Sequence, residues 1–85
     1  MLVKRFNIIW CNISIWKNNF SKRLKELRLE KGLSQKGLEK ELEGKITATA
    51  IGLWELNKRV PNLDAVIILA KYFCVSLDYI AGLED

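Results

Sequence analysis

The side chains in this chain that could do chemistry are suited to hydrogen bonding and to placed positive charge. They gather between Leu33 and Pro61, LSQKGLEKELEGKITATAIGLWELNKRVP. Ser34 and Gln35 open one segment of this stretch, Thr47 and Thr49 open a second, and Lys58-Arg59 follows it. Hydroxyls and a side-chain amide both donate and accept, and the two cations suit anionic partners such as phosphate. Bond-making chemistry has no comparable set. Histidine is absent, which removes the commonest general base near neutral pH. No cluster has metal-ligand spacing, no nucleophile stands beside a base, and no glycine loop is built to cradle phosphates. We therefore expect no catalytic residue, no metal, no cofactor and no small-molecule ligand. An enzyme ranks below every binding reading.

Those polar residues need helices to hold them. Leu38 and Leu42 lie four apart on one helical face, while Ile46, Ile51 and Trp54 supply a second apolar set. Ser34 is placed to cap the first helix, leaving Gln35 at its exposed N-terminal end. Glu43-Gly44-Lys45 makes a turn, Thr47 caps the second helix over 47–56, and Pro61 ends the stretch. Two short helices joined by a turn, the second followed by two cations, suggest a helix-turn-helix that docks on DNA.

Helices are expected on both sides. Phe20, Leu24 and Leu27 lie at i, i+4 and i+7 of a helix over 19–31, with Gly32 as its C′ residue. Lys22 and Lys25 lie off that face as solvated charges. Asn62 caps a helix over 63–73 whose buried side is expected to be Leu63, Val66, Ile67, Ala70 and Phe73. Ile68 falls where exposure is expected, free for a dimer contact. Ser76 caps a last helix over 77–81, with Asp78 favourable at its positive end and Gly82 as its stop. Leu77 and Ile80 are expected to complete the core.

Eighty-five residues make one small domain. A chain of this size buries only about 60% of its unfolded surface, so the core must be dense. The hydrophobic content of 49% can supply it. Of the net charge of +4, three units sit on Lys4, Arg5 and Lys17, leaving +1 for the rest. Any contact with a polyanion must then rest on a few placed cations and not on a broad field. Cys11 and Cys74 do not make a disulfide framework. They read as reduced intracellular thiols in a cytoplasmic protein, with Cys74 packed in the core.

Residues 1–19, MLVKRFNIIWCNISIWKNN, stand apart from this pattern. Lys4-Arg5 before an apolar run loosely suggests a signal peptide. However, Asn7, Asn12 and Ser14 interrupt the run, no small-residue cleavage site follows, and it is too short to span a bilayer. Phe6, Ile9, Ile13, Trp16 and Phe20 fit a helical stripe, and the β-branched isoleucines fit a strand as well. The segment reads as an extension of uncertain order, or as an arm whose Trp10 and Trp16 pack on a second subunit.

From about Phe20 to Leu83, within an expected domain over 20–85, the chain resembles the phage-repressor-like (XRE-type) helix-turn-helix family. The resemblance rests on GLSQ at Gly32–Gln35, Leu38, Leu42, Ile51, Trp54-Glu55, Lys58-Arg59-Val60-Pro61 and VSLDYIAG near the C-terminus. It implies an all-α, compact five-helix DNA-binding domain that acts as a transcriptional regulator, commonly a homodimer. Base-reading positions of the family fall on Thr47, Ala48, Thr49 and Leu53. Phosphate contacts fall on Ser34, Gln35, Lys58 and Arg59. The resemblance also pairs Arg28 with Glu55, tying helix one to the recognition helix.

Three departures from the family pattern stand out. Gly37 weakens its helix by about 0.5–1 kcal/mol relative to alanine. Glu39 replaces a small alanine where two helices meet, so it must turn outward or push them apart. The turn is about two residues longer than the family's. The base-reading set offers only hydroxyls and apolar contact with thymine methyls, and holds no bidentate reader of guanine. These features leave two readings. One is a sequence-specific double-stranded DNA-binding regulator, a repressor acting by steric occupancy. The alternative is a protein-interaction module, an antirepressor or partner-binding subunit, using Leu53 and Leu56 as an apolar patch.

Overall fold

A computed structural model describes residues 19–83. Five helices follow one another: α1 over 19–30, α2 Gln35–Glu41, α3 Ala48–Glu55, α4 Leu63–Phe73 and α5 Leu77–Ile80. No strand occurs among the described residues. The readings of residues 1–18, including the arm of Phe6, Trp10 and Trp16, lie outside the described part.

Local chemistry sets where each helix starts and stops. Ser34, Thr47, Asn62 and Ser76 each accept the backbone N–H three residues on, from Gly37, Ala50, Ala65 and Tyr79 respectively. Each bond satisfies a donor that the helix itself leaves unpaired. α1 ends in a turn with Gly32 at φ +69°. There the N–H of Leu33 returns to the carbonyl of Arg28 at 3.1 Å and that of Gly32 to Leu29 at 2.9 Å. α3 ends the same way with Asn57 at φ 60°. The longer turn after α2 carries two successive positive φ angles, at Glu43 and Gly44.

The core forms where the apolar stripes of these helices meet. Phe20, Leu24 and Leu27 of α1 pack with Leu38, Leu42, Ile46, Ile51 and Trp54, and with Ala65, Val66, Leu69, Ala70, Phe73 and Ile80. Phe20 and Trp54 meet edge to face, their ring centroids 6.3 Å apart. The hydroxyl of Ser21 donates to the Trp54 carbonyl at 2.6 Å, so a polar group inside the core is satisfied. α5 is pinned to α1 by Arg23, whose guanidinium donates to the Tyr79 carbonyl at 2.7 Å and lies 4.1 Å over the Tyr79 ring. Tyr72 of α4 donates to Glu41 of α2 at 2.9 Å.

Several packing expectations need correction. Leu63 is 67% exposed and Leu77 is 41% exposed. Both occupy the first position of their helices. Side chains lean toward the helix N-terminus, so a first-turn residue projects past the core while Val66 and Ile80 one turn later enter it. Cys74 is exposed, not packed inside. It adopts the left-handed conformation, φ 58° and ψ 42°, where the chain reverses after α4. Ile68 is half-buried against the core and not free on the surface, whereas Ile80 is fully buried, as expected.

Candidate nucleic-acid interface

α3 carries the residues expected to read bases, and its position is fixed from behind. Ile51 and Trp54 point into the core. Beside them Glu55 meets Arg28 of α1 in a two-pronged pair, Nε to Oε2 at 2.7 Å and Nη2 to Oε1 at 3.0 Å. The two side chains are only 9% and 5% exposed. Arg28 also donates through Nη1 to the Leu33 carbonyl at 2.8 Å, anchoring the chain just before α2. The hydrogen bond to Glu55 raises the Arg28 pKa above its ordinary value, burial opposes it, and the Glu55 charge adds to the rise. A planar guanidinium matched to a carboxylate is the arrangement in which such a buried pair is well satisfied.

Gln35, the first residue of α2, joins this cluster and is not simply exposed. Its Nε2 donates to Glu55 Oε1 at 3.2 Å. Gly52 of α3 makes room for it, since a Cβ there would stand 3.2 Å from Gln35 Oε1. Arg28, Glu55 and Gln35 thus hold α1, α2 and α3 in one fixed relation. Gly52 faces Gln35, whereas periodicity alone groups it with the groove-facing residues.

The start of α3 is also held. The Thr47 hydroxyl accepts from Ala50 N–H at 3.1 Å, and Glu39 Oε1 of α2 accepts from Ala48 N–H at 3.1 Å. Glu39 does not simply turn away to solvent; it reaches across the longer turn and caps α3. Lys36, one turn before it, lies 3.7 Å from the same oxygen but is 86% exposed. That contact is worth little in water. No local pattern announces the Glu39 contact, because its partner lies nine residues on and beyond a turn.

Thr47 and Thr49 are exposed, while Ala48 and Leu53 are half-buried. Ser34 is exposed at the head of α2, and Lys58 and Arg59 are exposed in the loop after α3. The exposed hydroxyls of Thr47 and Thr49 thus stand at the start of α3, that of Ser34 at the start of α2, and the two exposed cations follow the end of α3. Hydroxyls there can accept or donate to polar edges, and the cations can meet anions. Among the described residues no helix is long and apolar enough to cross a membrane.

A helix-turn-helix family matches residues 24–80. The HTH-type transcriptional activator BcrR of Enterococcus faecalis is 33% identical over 66 residues, covering 78% of this chain and 31% of BcrR. The uncharacterized HTH-type transcriptional regulator YobD of Bacillus subtilis (strain 168) is 35% identical over 66 residues, covering 78% of this chain and 57% of YobD. The chain thus spans 31% of the length of BcrR and 57% of that of YobD. The DNA-binding domain of BldD superposes with a TM-score of 0.70 at 24% identity, covering 79% of this chain and 94% of that one. The S. venezulae BldD DNA-binding domain gives 0.69 at 23% identity, covering 76% of this chain and 94% of that one. At these identities the likeness is one of fold. The match over 24–80, through all five helices, settles the family: this chain belongs to the XRE-type helix-turn-helix proteins.

Proposed function

We propose that the chain is a sequence-specific double-stranded DNA-binding transcriptional regulator that lays α3 in the major groove. The observation carrying this reading is the Arg28–Glu55–Gln35 cluster, which fixes α1, α2 and α3 behind an open edge bearing Thr47 and Thr49. Groove reading needs that rigidity, because a base contact is selective only when the helix cannot shift to suit another base. Thr47, Ala48, Thr49 and Leu53 face base edges. Ser34, Gln35, Lys58 and Arg59 face phosphates, Gln35 through whatever hydrogen-bonding capacity Glu55 leaves it. The regulator works in the cytoplasm as a homodimer that represses by occupying a short operator. BcrR is named an activator, and a reporter with the operator placed upstream of or across the promoter decides the sign. A second reading, a protein-interaction module, has one supporting observation: Leu56, next to α3, is 67% exposed.

Selection of bound duplexes from a random pool, followed by salt titration, tests the proposal. Recovery of no duplex at low salt sinks it and favours the protein-interaction module. Two outcomes are expected of binding variants. Lys58→Ala and Arg59→Ala should each weaken all sequences alike and make the log–log salt slope shallower by about 0.9. An unchanged slope removes that residue from the interface. Thr49→Ala should cost about 1–3 kcal/mol at one base position and little elsewhere. A loss spread evenly over all operators would reassign Thr49 to the phosphates.

A further inference from the structure

We infer that Glu39 is a positioning residue for DNA recognition: it fixes the first turn of α3 and places a negative charge at that helix's positive end. The inference rests on the DNA-binding reading above. Its geometric basis is the 3.1 Å bond from Ala48 N–H to Glu39 Oε1. Ala48 is the first residue of α3, and its neighbours Thr47 and Thr49 are the exposed hydroxyls of the reading edge.

Thr47 satisfies one of the leading N–H groups of α3 and Glu39 another, so the turn that reads bases is tethered by a side chain of its own and by one from α2. Without the second tether the first turn of an eight-residue helix is free to fray. The longer turn between the helices makes that tether more important. Glu43 and Gly44 both adopt positive φ, and the connection carries Glu43, Gly44 and Lys45 exposed. A carboxylate has the reach to bridge it, which an alanine lacks.

The same carboxylate has an opposing effect. A helix N-terminus attracts anions through its unpaired N–H groups and dipole. Glu39 occupies one of those groups and answers part of the dipole with its own charge. Its side chain is 28% exposed, and Lys36 at 3.7 Å is its nearest cation. A DNA phosphate approaching α3 therefore meets a start that is already partly neutralised. Glu39 improves placement of the reading residues and weakens attraction to any duplex.

Two variants of the full chain separate these effects. Glu39→Gln keeps an oxygen that can accept the Ala48 N–H and removes the charge. Glu39→Ala removes both. Binding is measured to the tightest duplex recovered from a random pool and to a scrambled duplex, each over a salt series. Glu39→Gln should bind both duplexes about two- to fivefold tighter at low salt, with the gain shrinking as salt rises. Its ratio of selected to scrambled affinity should stay at the unmodified level. Glu39→Ala should lower that ratio about fivefold, and its Ala48 amide should exchange hydrogen faster than in Glu39→Gln. A ratio unchanged in Glu39→Ala overturns the positioning role, and no gain in Glu39→Gln overturns the charge effect. If the unmodified chain binds neither duplex, the DNA-binding reading fails and this inference falls with it. If the unmodified chain discriminates and Glu39→Ala discriminates equally, only this inference fails.

Discussion

Trp54→Ala is expected to destabilise the domain by about 3–5 kcal/mol, the range for removing a large buried aromatic from a core. Trp54 is 8% exposed and belongs to the core cluster. Its ring packs edge to face on Phe20 of α1 with a 66° interplanar angle, and its carbonyl accepts the Ser21 hydroxyl. Truncation leaves a void beside Phe20, itself 1% exposed, inside a close-packed core. Small domains have only about 5–15 kcal/mol in total, so the variant should be partly unfolded at ordinary temperatures. Urea unfolding followed by circular dichroism measures the loss. A midpoint close to the unmodified one would mean that α3 sits in a different register, with Trp54 outside the core. Trp54→Phe should restore much of the stability, because it keeps an aromatic face against Phe20.

What the sequence makes legible follows from how local each signal is. Ser34, Thr47, Asn62 and Ser76 bond to backbone three residues away, so their roles can be read inside a four-residue window. Leu38, Ile51, Trp54, Val66 and Leu69 repeat at helical spacing, and their burial follows. Leu63 and Leu77 mislead because periodicity cannot tell a helix's first turn, which overhangs the core, from its second. Gly52 misleads because periodicity sees it as a blank on the outer face, whereas Gln35 lies over it. Glu39 is the sharpest case. Its helical position shows that it lies between α2 and α3, but only the path of the turn decides that Ala48 N–H meets it. The family resemblance implies that Arg28 and Glu55 pair, across 27 positions; Gln35 as a third member is legible from neither source.

Glu55→Ala should cost about 3–5 kcal/mol, more than the size of the side chain suggests. Arg28 would stay charged, because arginine does not give up its proton in proteins. It would keep one hydrogen bond from Nη1 to the Leu33 carbonyl while Nε and Nη2 lose their carboxylate in a site 9% open to water. The Gln35 amide would lose its acceptor as well. Three donors thus lose their acceptor, and α2 loosens against α3. Replacing both partners separates these costs. Arg28→Met with Glu55→Leu removes the buried charge altogether, and such apolar exchanges are often neutral or stabilising by about 1–4 kcal/mol. The double variant should melt well above Glu55→Ala, and a double-mutant cycle completed with Arg28→Met and Glu55→Leu singly should show strong coupling. Its DNA binding should nevertheless fall, since methionine and leucine give Gln35 no acceptor and α2 no polar fix on α3. Equal melting of Glu55→Ala and the double variant would show that the stranded Arg28 charge is not the source of the loss. Full operator affinity in the double variant would show that the cluster serves stability alone and that groove reading does not depend on it.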